Sequence, residues 1–364
     1  MNGEILGGAE KQIALIIQGL KSKGMNISVM EYELISPINI KGINFYPAWG
    51  KNKSTFLGKL LSLVKQIKEN DIQVVYVRAT QLYAACLFFY LRLTNSKIKL
   101  YWGVAGDHNL TSKLNYLRVN QATTWYGKIH NGYLFNLSSM LLFAFSNKVI
   151  CQTQEQMERC KSIYKRKSVL IISNIYSIGE SVNSESVGVI ADGIWIGKFA
   201  GIKGEEVLLK MAQDFPQLKI VCLGNVSKEY ENSLTFKKIK EQDNLILVGR
   251  VGNEKVAGYI SKVNFVLNTS PSEGLSNVFL EGWSQEKPII SFRVDPNKYL
   301  KNGKAGFCAE NNYDRLVDIV QKIQEDKQVL VIFGKNGKEI LIKNHFPETI
   351  LPKYFNLFCE NPLL

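Results

Sequence analysis

The stretch VNFVLNTSPSEGLSNVFLEGWSQEKPIISF, residues Val263–Phe292, decides the fold of this chain. Its first part, Val263–Ser270, is β-branched and apolar, as a buried parallel strand requires. Pro-Ser-Glu-Gly then supplies turn chemistry, and Asn277–Gln285 has helical composition, with Ser276 or Asn277 as its N-cap. The helix ends before Lys287-Pro288, because a residue that precedes proline disfavours the helical region. We therefore predict a strand, a loop and a helix in immediate succession.

Two glutamates stand eight residues apart across this junction. Glu273 falls on the loop after the strand, and Glu281 falls in the first turns of the helix. Open α/β sheets bind ligands outside the carboxyl ends of their strands, and phosphates bind at helix starts, where backbone N–H groups are free. The stretch therefore predicts a site for a nucleotide diphosphate. Two unrelated surface glutamates in an ordinary βα unit are the alternative that these residues leave open.

Strand-like and helical segments alternate along the rest of the chain, an order that predicts parallel sheets. A helix is expected at Gly8–Lys23. Strands are predicted at Met25–Tyr32, Val74–Arg78, Lys97–Trp102, Lys148–Cys151, Gly193–Phe199, Lys219–Leu223, Leu245–Val248, Asn264–Leu267 and Pro288–Phe292. We predict two Rossmann-like α/β domains, residues 1–176 and 189–345, with a linker at 177–188 and a site in the cleft between them. Residues 346–364 are expected to form a helix that crosses back to the first domain.

The composition favours a two-domain protein with anionic partners. The 364 residues are 46% hydrophobic, and 45 Lys and Arg against 32 Asp and Glu give a net charge of +13. Such a charge suits nucleotide diphosphates, phospholipid headgroups or nucleic acid. Lysines concentrate around Lys51–Lys68, Lys161–Lys167 and Lys298–Lys304, although solvated helix faces explain each cluster equally well. Because no nucleic-acid-binding module is present, we expect no nucleic acid and favour peripheral contact with an anionic membrane.

Targeting and redox signals are weak. The strongest apolar runs, Leu82–Leu91 and Met140–Phe145, fall short of the about 20 residues that span a bilayer and are interpreted as buried helices. The start, MNGEILGGAEK, lacks the apolar region of a secretory signal. Six cysteines are scattered without metal-ligand spacing, so we expect reduced thiols in a cytoplasmic protein. A position at the inner face of the cell membrane stays open.

The order of strand, loop, Glu-Gly, helix and Glu resembles the E-x7-E element of retaining glycosyltransferases of family 4, which have the GT-B fold. The sequence LNTS…EGLSNVFLEGW…KPIISF.VDP is most similar to the subgroup that builds bacterial surface polysaccharides. The resemblance begins at Gly7 and is strongest between Ser146 and Phe307. It implies a sugar transfer from a nucleotide diphosphate donor, with UDP-sugars favoured, to a growing glycan or polyprenyl-linked acceptor of capsule, exopolysaccharide or lipopolysaccharide.

The same resemblance implies roles for individual residues. Glu273 would face the hexose, with Asp107 and His108 beside the donor sugar. The implied donor-binding residues are Lys198 and Lys203 for the diphosphate, the amides of Leu275, Ser276 and Asn277 for the β-phosphate, Arg250 for the base, Glu281 for the ribose, and Gly7 and Gly8 in a glycine-rich loop. Lys198 stands where the family usually has arginine, so it keeps the charge but loses bidentate geometry. Because the chain has no Asp-x-Asp pair, we expect no metal and no other cofactor.

Two alternatives to sugar transfer stay open. The family places a full strand before the glycine-rich loop, whereas this chain has only Met1–Leu6 there, so we expect the first strand of the N-terminal domain to be missing. A catalytically silent nucleotide-sugar-binding or scaffold protein is therefore one alternative. A sugar-nucleotide epimerase is another, although it would need acid and base groups around the sugar and the chain has three histidines.

Overall fold

The computed structural model describes residues 8–31, 34, 36–48, 55–78, 80–110, 129–165, 168–177 and 191–359. The chain divides into two compact units. Unit 1 consists of Met1–Ile175 and Pro347–Leu364, and unit 2 consists of Tyr176–Phe346. Each unit is described by its own elements below.

Unit 1 alternates strands and helices. In chain order they are α1 (Gly8–Ser22), β1 (Ser28–Glu31), β2 (Ile38–Ile40), β3 (Ile43–Pro47), α2 (Phe56–Glu69), β4 (Val74–Arg78), α3 (Leu82–Leu93), β5 (Lys99–Gly103), a 3-10 turn (Asp107–Asn109), a π-helical turn (His130–Leu134), α4 (Phe135–Phe145), β6 (Lys148–Cys151), α5 (Gln154–Tyr164) and β7 (Val169–Ile171). Strands β4-β5-β6-β7 form a parallel sheet. A second sheet, β1-β3-β2, pairs β1 with β3 in parallel and β2 with β3 antiparallel.

Unit 2 is built on one six-stranded sheet. Its elements are β8 (Gly193–Ile196), α6 (Glu205–Asp214), β9 (Ile220–Leu223), α7 (Lys228–Glu231), α8 (Leu234–Lys240), β10 (Leu245–Gly249), α9 (Asn253–Ser261), β11 (Phe265–Asn268), α10 (Asn277–Ser284), β12 (Ile289–Ser291), a 3-10 turn (Pro296–Lys298), β13 (Gly306–Cys308), α11 (Tyr313–Glu325) and α12 (Gln328–His345). All strands are parallel, in the order β10-β9-β8-β11-β12-β13. The last helix, α13 (Pro347–Cys359), returns to unit 1.

Both faces of each parallel sheet are covered, which explains why its strands are apolar throughout. In unit 2, Phe265 and Leu267 contribute to one core while Val266 contributes to the other. In unit 1, helices α2, α3 and α4 share a core with Trp102 and Val149 of the sheet. Helices α1 and α13 share a second core of this unit. These cores fix the sheets whose strand ends carry the candidate site.

The strand pattern follows the sequence prediction closely. Strands β4 and β6 have the predicted bounds, and the other predicted strands are present with shifted ends. The hairpin β2–β3 and strand β13 were not predicted, because they are short and lack a long apolar run. The predicted linker lies outside the described residues except for Ser177, and so do residues 1–7, on which the prediction of a missing first strand depends.

One interpretation from the sequence needs correction. Helices α3 and α4 were expected to be buried, but each buries one side and exposes large apolar side chains on the other. Their low polarity therefore does not come from complete burial. Among the described helices, none has both the length and the hydropathy that a membrane span requires.

Candidate active site

Two loops leave the carboxyl ends of neighbouring strands in unit 2. The first loop, residues 197–204, connects β8 to α6, and the second loop, residues 269–276, connects β11 to α10. Because β8 and β11 pair in parallel, both loops lie at the same edge of the sheet. From β8 the chain adds β9 and β10 on one side, and it then returns to add β11, β12 and β13 on the other side. The edge is therefore the topological switch point, where open α/β sheets bind ligands.

The first loop is held from within by the carboxylate of Glu205, which is 1% exposed. Its Oε1 accepts hydrogen bonds from the backbone N–H groups of Ala200 and Gly201, both at 2.8 Å, and its Oε2 accepts one from Lys203 at 2.9 Å. Glu205 is also the first residue of α6, so its negative charge lies at the positive end of the helix dipole. These contacts satisfy three amides that the loop would otherwise bury.

A glycine and a threonine join the two loops. Gly204 has φ +73°, and a Cβ there would lie 1.9 Å from the carbonyl oxygen of Thr269, so only glycine fits. The hydroxyl of Thr269 donates to the carbonyl oxygen of Lys203 at 2.7 Å and accepts from the indole N–H of Trp195 at 2.9 Å. The backbone of Lys203 is thus fixed against the end of β11.

The side chains of Lys203 and Glu273 form an ion pair between the two loops. Lys203 Nζ lies 2.5 Å from Glu273 Oε1, which also accepts a hydrogen bond from the Ser270 hydroxyl at 2.6 Å. The two side chains are 33% and 12% exposed, so the pair is reachable but partly desolvated. Burial alone would raise the pKa of Glu273. The charge of Lys203 and hydrogen bonds from Lys203, Ser270 and Ser276 outweigh burial, so its pKa is lowered and the carboxylate is ionised at neutral pH.

The helix after the second loop agrees with the sequence prediction. It runs over Asn277–Ser284 with Ser276 at the N-cap position, and Gln285 is its C-cap. The side chain of Leu275 is buried in the core beside it. Glu281 lies in the second turn and is half-buried. The C-terminal end of the second loop is therefore anchored by Leu275 in the core and by α10.

Two predicted cationic residues lie apart from the ion pair. Lys198 is on the first loop, is exposed, and makes no ion pair within the part of the chain that the structure describes. Arg250 is exposed and follows Gly249, the last residue of β10, which is separated from β8 by β9. The structure thus brings Lys203 and Glu273 into contact, places Lys198 on the loop of Lys203, and leaves Arg250 two strands away.

The predicted residues of unit 1 fall into a different environment. Asp107 is half-buried, and its carboxylate accepts hydrogen bonds from Arg159 at 3.1 Å and from Gln156 at 3.0 Å. Both partners belong to α5. Gly8 is the first residue of α1, whereas Gly7 and the side chain of His108 lie outside the described residues. Asp107 is therefore already engaged by two side chains of its own unit.

Three contributors were missed in the sequence. In the sequence, Glu205 is only an acidic residue in a first helical turn. That position favours a contact with the helix dipole and does not predict hydrogen bonds to the preceding loop. Ser270 and Arg159 carried no signal, because their contacts depend on the folded loop and on a partner 52 residues away. Among the described residues, no three His, Cys, Asp or Glu side chains cluster as metal ligands would.

Comparison with known proteins finds similarity to glycosyltransferases. Residues 192–342 match the family model described as "Glycosyl transferases group 1". An uncharacterised glycosyltransferase of Methanocaldococcus jannaschii is 25% identical over 209 residues, which are 57% of this chain and 58% of the relative. The lipopolysaccharide core biosynthesis glycosyltransferase LpsE of Rhizobium meliloti is 23% identical over 238 residues, 60% of this chain and 66% of the relative.

A third relative, the poly(ribitol-phosphate) alpha-N-acetylglucosaminyltransferase of Staphylococcus aureus, is 21% identical over 253 residues, 64% of this chain and 50% of the relative. The matches thus span between half and two thirds of the length of these relatives. Among solved structures, sucrose-phosphate synthase from Thermosynechococcus elongatus has a TM-score of 0.76 at 16% identity and covers 97% of this chain and 93% of its own. WaaG, a glycosyltransferase involved in lipopolysaccharide biosynthesis, has a TM-score of 0.66 at 13% identity, with 98% of both chains covered.

The chain has the GT-B fold, and the fold predicted from the sequence is confirmed. The residues that match the family model, 192–342, all lie within unit 2. The family model and the three relatives describe glycosyltransferases, which is the class of enzyme that this chain resembles. The Lys203–Glu273 pair, at the switch point of the sheet, lies inside the matched domain.

Proposed function

We propose that this protein transfers a sugar from a nucleotide diphosphate-sugar, with UDP-sugars favoured, to a growing glycan or lipid-linked acceptor in surface polysaccharide biosynthesis. The observation that carries the proposal is the Lys203–Glu273 ion pair at the switch point of the glycosyl transferase domain. The names of the relatives support the substrate class, since they describe transferases of lipopolysaccharide core and of poly(ribitol-phosphate). UDP is among the ligands bound in the crystal structure of one structural neighbour, a TarM variant.

Lys203 would bind the diphosphate of the donor. Its backbone is fixed by Glu205 and Thr269 and its ammonium group by Glu273, so the cation is held before the donor arrives and little conformational entropy is lost on binding. As the sugar leaves, negative charge accumulates on the diphosphate, and a fixed cation stabilises that charge. Lys198 would add a second, more mobile cation on the same loop, and the N-terminal amides of Leu275, Ser276 and Asn277 would bind the β-phosphate.

Glu273 would contact the transferred sugar. Because its pKa is lowered, the carboxylate is ionised at neutral pH, accepts hydrogen bonds from sugar hydroxyls and has no proton to give. That state suits the stabilisation of an oxocarbenium-like sugar and excludes general acid catalysis by this residue at neutral pH. We also propose retention of configuration and independence of divalent metal. Both rest on the resemblance of the stretch from Glu273 to Glu281 to the E-x7-E element, with Lys203 in place of a metal ion.

Contact with the donor nucleoside and with the membrane completes the proposal. Glu281 would accept hydrogen bonds from the ribose and Arg250 would contact the base. The excess of basic residues favours work at the anionic inner face of the cell membrane, where a lipid-linked acceptor would be found.

The test is a product analysis with a panel of UDP-, GDP- and ADP-sugars, in EDTA, with a membrane lipid extract as the source of acceptor. We expect release of UDP and a glycosylated lipid or glycan of defined mass with one of the UDP-sugars. Binding of UDP without release or product would support the silent binding protein. Interconversion of the donor sugar without any acceptor would support the epimerase. Either outcome would contradict the proposed transfer.

A further inference from the structure

Three neighbouring helices of unit 1 expose large apolar side chains to solvent. The residues are Leu57 (62% exposed) and Leu61 (48%) on α2, Phe89 (40%) and Leu93 (68%) on α3, and Leu137 (47%) and Met140 (57%) on α4. We call these six residues the apolar face. On each helix they are separated by three or four positions, so they lie on one side of that helix. Their number on three helices exceeds the scattered single apolar residues that any protein surface shows.

The apolar face is continuous because the helices pack side by side. Helices α2, α3 and α4 cover one face of the same sheet and share its core, so their exposed sides point away from that core. Phe56 of α2 stacks on Tyr83 of α3 with ring centroids 4.6 Å apart. Phe89 of α3 meets Phe145 of α4 edge to face at 5.1 Å. Aromatic contacts thus join each of these helices to the next, and one of the contacts includes Phe89 of the apolar face.

Charge is absent from the middle of the apolar face and positive at one side. Helix α4 contains no charged residue, and the single charged residue of α3, Arg92, donates a hydrogen bond to the carbonyl oxygen of Phe145 at 3.0 Å. On α2, the exposed side that begins with Leu57 and Leu61 continues with Lys65, which pairs with Glu69 at 3.4 Å, and with the exposed Lys68. Apolar side chains beside lysines are the arrangement that anionic lipid surfaces bind.

The distribution of charge between the units supports the same partner. Unit 1 contains 23 of the 45 basic residues and 11 of the 32 acidic ones, a net charge of +12. Unit 2 contains the other 22 and 21, a net charge of +1. Nearly all of the excess positive charge therefore belongs to the unit that carries the apolar face.

We propose that the apolar face is a docking surface for an anionic lipid bilayer. It would bury its leucine, phenylalanine and methionine side chains among the lipid headgroups and upper acyl chains, while the lysines of α2 contact anionic headgroups. A second copy of the chain is disfavoured as the occupant, because two units of charge +12 would then face each other. The inference rests on the membrane contact proposed above, but its test does not depend on sugar transfer.

The test is flotation of the full chain with two kinds of vesicle, phosphatidylglycerol mixed with phosphatidylcholine and phosphatidylcholine alone. We expect binding to the anionic vesicles, weakened by salt. In the double variant Leu93→Glu with Met140→Glu, the affinity for anionic vesicles should fall about 100-fold, because each apolar side chain kept out of the lipid lowers the affinity about tenfold. The matched control is Leu234→Glu with Val331→Glu, two apolar residues of unit 2 that are 78% and 57% exposed, and it should bind like the wild type.

Charge is tested separately with Lys68→Gln, which should lower binding to the anionic vesicles about fivefold and leave binding to phosphatidylcholine unchanged. Circular dichroism and thermal unfolding, measured on every variant, serve as the control for folding, because they report on unit 1 as well as on unit 2. Equal flotation of the apolar-face variant and the wild type would overturn the proposal. A second result would also overturn it: the wild-type protein binds neither kind of vesicle and elutes as a dimer, whereas the Leu93→Glu and Met140→Glu variant elutes as a monomer. The apolar face would then bind a second copy of the chain.

Discussion

Unit 1 has a net charge of +12 and exposes apolar side chains on three adjacent helices, whereas unit 2 has a net charge of +1 and holds a partly buried ion pair at its strand edge. The net charge of the whole chain therefore says little about where a nucleotide diphosphate binds. In unit 2, the proposed diphosphate contact is the ammonium group of Lys203, whose backbone is held by Glu205 and Thr269 and whose Nζ contacts Glu273. In unit 1, the charge is spread over a surface. The contrast is between a proposed donor site that is fixed by hydrogen bonds and a proposed membrane surface that would bind through its area and charge.

Removal of the charge on Glu273 should produce the largest effect on the built site of unit 2. Glu273→Gln should lower turnover about 100-fold or more, since it removes one preorganised charge beside the reacting sugar. Release of UDP from the donor, measured at saturating donor and acceptor, is the readout. The control is Glu286→Gln, the same change in an exposed pair with Lys338 at 2.6 Å, which should leave turnover unchanged. Equal turnover of Glu273→Gln and wild type would remove Glu273 from the mechanism.

Loss of the Glu205 carboxylate, which holds the first loop, should have the next largest effect. Glu205→Ala leaves three backbone N–H groups without their acceptor and should lower the unfolding free energy of unit 2 by about 2 kcal/mol, as hydrogen bonds to a buried charged group are worth. Glu205→Gln keeps one acceptor oxygen and should lose about half of that. Hydrogen exchange at Ala200, Gly201 and Lys203 would follow the loop itself. Unchanged protection of these amides in the alanine variant would show that Glu205 does not hold the loop.

The two lysines of the first loop allow a fixed charge to be compared with an exposed charge within unit 2. Lys198 is exposed and Lys203 is fixed at 2.5 Å from Glu273, so a mobile cation can be compared with a preorganised one. Lys198→Met should weaken UDP binding about threefold, as an exposed ion pair contributes about 0.2–1 kcal/mol. An effect equal to that of Lys203→Met would mean that charge alone, and not its position, determines donor affinity.

The smallest effect is the dependence of stability on pH. The folded-state pKa of Glu273 lies below its ordinary value of 4.5, so the ionised carboxylate contributes stability above that value and loses it as pH falls through the folded pKa. The difference in unfolding free energy between wild type and Glu273→Gln should therefore be constant above about pH 5 and shrink below about pH 4. Thermal unfolding of both proteins across this range measures it. A difference that grows on acidification would mean that the pKa is raised instead.

Much of the fold could be predicted because buried parallel strands have a local signature. Val74–Arg78 and Lys148–Cys151 are apolar runs with clear boundaries, and their strands match the prediction residue for residue. The hairpin at Ile38–Pro47 lacks such a run. The burial of helices α3 and α4 was overestimated, because an apolar sequence does not show whether both sides of the helix pack against protein.

The site could be predicted only in part. Glu273 and Lys203 were identified from resemblance and loop position, but their contact joins residues 70 positions apart and depends on the pairing of β8 with β11. The pairing of Asp107 with Arg159 depends in the same way on how α5 packs in unit 1. Local sequence reports the chemistry of a side chain, whereas its partners are determined by strand order and helix packing.

The decisive experiment is a calorimetric titration of UDP, in EDTA, into the wild-type protein and Lys203→Met. We expect binding by the wild type without metal and an affinity at least about tenfold lower in the variant, the loss of one charge-assisted hydrogen bond at a preorganised site. Equal affinity of the two proteins, or no binding of UDP by either, would contradict a donor site built on Lys203 and Glu273.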